Sequence, residues 1–174
     1  MFGVTLRNAN LRFARLVGAN LEASELTNAD LTSANLVDIV LTEAFADKVE
    51  FRSANMSNAQ LVGTNLQGSK MEGVKLNSAN LEKAKLVRAI LTNANLSGAN
   101  LSNADLSYAD LSGANLTRST LVGAKLIGAN LTGAVFNGAN LSDAILSSAL
   151  VSRAEFCKAI LPEGALGKCI TNRN

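Results

Sequence analysis

Histidine and tryptophan are missing from this 174-residue chain, which also carries only one proline, one tyrosine and two cysteines. Without histidine, no Ser–His or Cys–His nucleophile can be assembled. Two cysteines alone are too few ligands for a structural zinc site. The sequence therefore points away from an enzyme and nominates no catalytic residue, metal or cofactor. Aromatic residues make up 4% of the chain. Leu and Ala dominate instead, which implies a narrow and uniform interior. Sixteen basic residues against 14 acidic ones leave a net charge of +2, too little to imply a nucleic acid or an anionic membrane as partner. No apolar run reaches about 18 residues, so no membrane-spanning helix is expected. The opening segment MFGVTLRNANL has no apolar signal core.

What is present is one five-residue word. Leu91 to Asn115 reads LTNAN LSGAN LSNAD LSYAD LSGAN, and the rest of the chain keeps its phase. Positions 6, 11, 16 and onward to 161 form a set of 32, of which 25 are Leu. The exceptions are Ala46, Phe51, Met56, Met71, Phe136, Val151 and Phe156. The set lying two residues earlier holds 24 Ala among its 32 positions, with Val4, Ser24, Ile39, Val49, Thr64, Ser69, Val74 and Ser119 as the others. All 30 charged residues avoid both sets, and 11 of the 13 glycines fall two residues after the Leu position. The Leu and Ala phases are thus expected inside and the other three outside. The Gly phase is expected at a turn, since glycine tolerates φ > 0.

Neither an α-helix nor a flat strand accommodates this pattern. Five residues of helix advance 500°, so Leu at every fifth position would scatter around the axis. A strand needs a period of two, and five is odd. A chain that takes a short extended step and turns a corner every five residues satisfies the pattern, and such a chain coils and stacks on itself. The words ANLSG, ANLSN, ADLSY and ANLTG resemble the pentapeptide-repeat family, A(D/N)LXX, over about nine-tenths of the chain. That resemblance implies an all-β fold, a right-handed quadrilateral β-helix with one pentapeptide per side. It would have about eight coils and be roughly 38 Å long at about 4.8 Å per coil. Residues 1–161 would form the β-helix and 162–174 a C-terminal capping tail. Poor capping at the other end makes an end-to-end homodimer an expected possibility. A soluble protein is expected, cytoplasmic as the sequence stands. The thylakoid lumen or periplasm is the alternative if a presequence has been removed.

Function should lie where the word is broken. In Val37 to Phe51, Ile39 and Val49 are too large for the Ala position and Ala46 too small for the Leu position. One reading is compensation of volume; the other is a local bulge that presents Val40 and Phe45 to a partner. Sorting outward charges with a 20-residue period leaves the side of Leu21 and Leu41 mildly acidic. Glu22, Glu43, Glu82 and Asp143 on that side join Val40 and Phe45 as a candidate interaction patch. Cys157 and Cys169 are either free thiols or a disulfide closing a short loop, worth roughly 3 kcal/mol in the chain-entropy model. The tail CKAILPEG…C resembles those of cyanobacterial and plastid lumenal family members, and this implies the disulfide. The expected role is a non-enzymatic scaffold with a protein partner of unknown identity. The alternative is a DNA mimic that binds DNA gyrase or a related type II topoisomerase, as in quinolone-resistance members. Phe at only 3 of 32 central positions and a positive net charge weigh against it.

Overall fold

A computed structural model describes residues 3–169. The chain winds in coils of 20 residues, four pentapeptides to a coil. Residues 20 apart pair through parallel single-residue bridges, from Thr5↔Glu25 to Asn140↔Ile160, without a missed step. Each side is one bridge and one corner, so no extended strand forms among the described residues. The expected β-solenoid is therefore built from isolated bridges, not from ribbons of strand.

Each corner is a type II β-turn that begins at a central residue. At Leu6–Ala9 the Ala9 N–H donates to the Leu6 carbonyl, and φ is +56° at Asn8. The same positive φ recurs at every third turn position from Gly3 to Lys158, that is, at 11 glycines and 21 other residues. A left-handed backbone disfavours a Cβ by roughly 1–2 kcal/mol. Asn, Asp and Ser occupy many of the non-glycine corners, but Phe13, Tyr108, Glu43, Lys48, Lys83 and three arginines also adopt this conformation. The stacking register sets φ here, whichever residue is present.

The five backbone N–H groups of a repeat are then accounted for. The Ala-phase N–H closes the turn. The next two donate to neighbouring coils, as Glu25 does to Val4 and Leu26 to Phe45. The corner residue also reaches the next coil, as Asn28 does to Asp47. Only the N–H just after the central residue lacks a backbone acceptor, and the Asn/Asp slot supplies one. At all 14 positions where Asn or Asp precedes the central residue, its Oδ1 accepts this N–H, as Asn115 does from Thr117 at 3.0 Å. This is the Asx turn that short amide and carboxylate side chains form with their own backbone. It gives a physical reason for the N/D letter of the repeat.

The core is the column of central residues, lined by the small ones. Leu26 through Leu141 are buried at the central positions, and Ala29 through Ala144 at the Ala positions. Hydroxyls are tolerated there because they bond locally: Ser69 and Ser119 donate to the turn carbonyls of Leu66 and Leu116, and Thr64 to that of Leu41. Phe136 stacks on Phe156 one coil later, ring centroids 5.0 Å apart. In the irregular stretch, Ile39, Ala46, Val49 and Phe51 are all fully buried, and the bridges at Val40 and Phe45 stay in register. This fits compensation of volume, and the backbone keeps its register through the stretch. The disturbance is confined to one bond: no turn hydrogen bond runs from Val49 to Ala46, where a large and a small residue have exchanged places.

Replacing Asn115 with Ala should cost about 0.5–2 kcal/mol, the range for losing a comparable cap, whereas Asn115→Asp should cost little because it keeps the acceptor. Chemical denaturation of both variants distinguishes lost acceptor from lost packing. Ser33, exposed at a corner with φ +58°, supplies the converse case. Ser33→Gly should raise stability by about 0.5 kcal/mol, relief of left-handed strain outweighing glycine's greater freedom in the unfolded chain. A lowered midpoint would show that the corner is not strained.

Candidate interaction faces and the C-terminal hook

Because the register never slips, residues sort into straight columns on four faces. We number the faces by their first central residue: face 1 from Leu6, face 2 from Leu11, face 3 from Leu16 and face 4 from Leu21. Within a face, successive coils should lie about 4.8 Å apart.

Face 2 carries a ladder of ion pairs. Arg12 reaches Asp30 at 3.0 Å; Arg52 pairs with Glu50 and with Glu72 at 3.1 Å; Lys70 meets Glu50 at 2.6 Å. Hydrogen bonding from Thr32, aided by the Arg12 guanidinium, holds the Asp30 carboxyl below its usual range. This contribution to stability is present above the unfolded-state carboxyl pKa and is lost as pH falls through the lower folded-state value. These pairs are surface-exposed and individually weak.

Face 4 carries all four acidic candidates. Glu22 and Glu82 stand just after the central residue, and Glu43 and Asp143 at corners. Asp143 lies three coils from the Glu82 corner, and Glu82 is paired with Lys83 at 3.1 Å. The acidic residues are thus spread along the face instead of gathered. Val40 is half-buried on face 4, while Phe45, 51% exposed, lies around the corner on face 1. Glu43 sits at the corner between them. The sequence grouping therefore divides into a corner of three residues and a dispersed acidic column.

Face 1 was not singled out by residue type, yet it holds Lys48, Lys85, Arg88 and Lys125, none in an ion pair among the described residues. Tyr108 is 61% exposed on the same face, its ring lying over Gly128, where a Cβ would come within 2.8 Å of it. The 20-residue charge sort contained this signal, but counting net charge alone diluted it with Asp47 and Asp105 on the same face.

At the C-terminal end the chain turns back on itself. Leu161 accepts from Gly164 in a last turn, Ile160 pairs antiparallel with Leu166, and Gly167 exchanges bonds with Lys158 and Ala159. Gly167 presses against the Phe156 carbonyl so closely that no Cβ fits. The structure joins Cys157 to Cys169 in a disulfide, Cα atoms 4.1 Å apart, and the Cys157 N–H donates to Asn137 Oδ1 at 2.8 Å. A cleft of 480 Å³ opens beside it, lined by Arg153, Glu155, Phe156 and Lys168 among others. The hook's backbone contacts fall on the corner from Phe156 to Leu161. Val151 is 46% exposed and Leu150 60%. Residues 170–174 of the expected tail lie outside the described residues, as do Met1 and Phe2 at the other end.

The family model for pentapeptide repeats matches the chain in 8 copies within residues 5–162. Among solved structures, the chain is 32% identical to HetL, a pentapeptide repeat protein involved in heterocyst differentiation regulation from the cyanobacterium Nostoc. That match covers 95% of this chain and 88% of HetL, with a TM-score of 0.50. QnrB1, a plasmid-mediated fluoroquinolone resistance protein, is 19% identical over 97% of this chain and 91% of its own, with a TM-score of 0.58. A pentapeptide repeat protein of the Arabidopsis thaliana thylakoid lumen is 29% identical over 68% of this chain and 81% of its own, with a TM-score of 0.41. No curated protein sequence matches the chain. No helix among the described residues is long and apolar enough to cross a membrane.

Thiol titration of native, unreduced protein should find no free cysteine. Reduction should then lower stability by at most about 3 kcal/mol, the entropy of a loop this short, and increase proteolysis after residue 157 before the coils unfold. Two titratable thiols in the unreduced protein would remove the cross-link.

Proposed function

The chain belongs to the pentapeptide-repeat family, and on that premise we propose that it is a non-enzymatic, right-handed scaffold rod offering flat faces to a protein partner. The observation that carries this reading is the unbroken 20-residue register from Thr5 to Ile160. Such a register fixes the spacing of exposed side chains to within a coil, which is what a recognition surface needs and what a mobile loop cannot supply. Catalysis finds no support in the residues: a chain without histidine lacks the most common general base. The likeness to HetL supports a regulatory interaction. The likeness to QnrB1 is at 19% identity and carries the fold only, and the unpaired cations of face 1 run against mimicry of DNA. The Cys157–Cys169 cross-link supports an oxidising compartment, such as a lumen or periplasm, over a reducing cytosol.

Immobilised whole protein incubated with native lysate of its source should retain one or a few proteins in stoichiometric amounts. Retention of none above a control rod of scrambled surface would sink the scaffold reading. In a supercoiling assay with DNA gyrase, no inhibition is expected at micromolar concentration, and inhibition would favour the topoisomerase alternative.

A further inference from the structure

Face 1 contains a notch around Gly68. Its corner column runs Lys48, Gly68, Arg88, Tyr108, Gly128. Beside Gly68, over which the Lys48 side chain passes with its Cγ 3.8 Å from where a Cβ would stand, lies a depression of 470 Å³ lined by Asp47, Lys48, Asn65, Gln67, Gly68 and Arg88. Lys48 and Arg88 flank it one coil above and one coil below, about 10 Å apart by the coil spacing. Both are exposed, and neither is in an ion pair among the described residues. Asn65 uses its Oδ1 to accept the Gln67 N–H at 3.2 Å, which leaves its Nδ2 as a donor. The one acid in the lining, Asp47, is engaged with the Thr27 hydroxyl at 2.8 Å. Two cations, two amide groups and the Asp47 carboxylate thus line the recess, with the cations in the majority.

The rest of the face extends the same chemistry. Lys85 and Lys125 stand two coils apart in the bridge column, separated by Asp105, whose Oδ1 is taken by the Ser107 N–H at 3.0 Å. Tyr108 lies beside them with one edge of its ring over Gly128. A cation thus recurs every two coils along two parallel columns. An extended chain covers about 10 Å in three residues, so a segment laid along the axis meets a cation at every third position. Phosphate-backbone binding would call for a denser array of cations than four.

We propose that face 1 is the docking surface for an acidic, extended segment of a protein partner, whose carboxylates at three-residue spacing meet Lys48, then Arg88 with Lys85, then Lys125, at successive two-coil levels. The segment crosses the Gly68 recess between the first two levels, and an apolar residue between the last two packs on the Tyr108 ring. This names the partner class and the face for the scaffold reading, and rests on it.

The test uses the full chain and fluorescein-labelled nine-residue peptides with Glu at every third position. Controls are an isomer with its three Glu adjacent, a Lys counterpart, inorganic phosphate and a nine-nucleotide single-stranded DNA. The spaced Glu peptide is expected to bind best, and raising salt from 50 to 500 mM should weaken it. The double variant Lys48→Gln/Arg88→Gln should lose about tenfold in affinity, the scale expected for two exposed charge-assisted contacts. Lys75→Gln/Arg118→Gln, the same charge change on face 3, should leave affinity unchanged, and melting temperatures of both variants check that the rod is intact. Equal loss in both variants, no binding at 1 mM peptide, or tighter binding of the DNA or of phosphate would overturn the proposal. Lysate capture separates the two claims: a partner retained equally by wild type and Lys48→Gln/Arg88→Gln leaves the scaffold reading standing and removes face 1.

Discussion

One backbone N–H per repeat, that of the residue after the central Leu, determines much of what the surface looks like. Its four neighbours find acceptors in the turn or in the adjoining coils. This one cannot, because the corner turns it away from both. A short side chain one residue before the Leu reaches it, and Asn and Asp are the short side chains with an oxygen at the required distance. Where the slot holds another residue, as at Phe45, Lys85 or Lys125, the chain gives up this side-chain acceptor and gains a free choice of surface chemistry. The slot is therefore where local stability and recognition compete. Face 1 holds Phe45, Lys85, Lys125 and Ile145 in this column, and it has given up acceptors more often than it has kept them.

The fold was legible in the sequence because each phase of the repeat answers one physical demand. Charge is excluded from two phases, glycine is concentrated in a third, and both facts are visible without a structure. Less legible was how little the corner depends on glycine. Lys83, Arg88 and Tyr108 all sit at φ near +57° to +60°, so the Gly preference is a bias set by strain, and the register overrides it. The turn-bonding use of Asp105 and Asp110 could be anticipated from residue type. That every Asn and Asp of the slot makes the same bond could not, since it depends on the angle at which each corner presents its N–H.

The candidate site was read less well, for a reason that lies in the arithmetic of charge. Net charge per side sums over the whole length of the rod, whereas recognition acts over a Debye length of about 8 Å, less than two coils. Summed this way, the acidic face looked distinctive, although its Glu82 is neutralised by Lys83 and Asp143 lies far down the column. Face 1 looked ordinary, although its unpaired cations fall within a few coils of one another. The disulfide hook was legible only through its two cysteines. Its tight seat against the Phe156 carbonyl, which only Gly167 permits, has no counterpart in the periodic pattern.

The columns also bear on how such a rod can change length. Each face is an alignment of residues 20 apart. Gain or loss of a single pentapeptide keeps every inward and outward phase, and the core would accept it. It would nevertheless rotate everything beyond that point by a quarter turn and splice face 1 onto a neighbouring face. Only duplications or deletions of four repeats preserve both the interior and the surface pattern. Drift in repeat number is thus a route by which the same set of side chains is dealt into new faces, with folding left almost untouched.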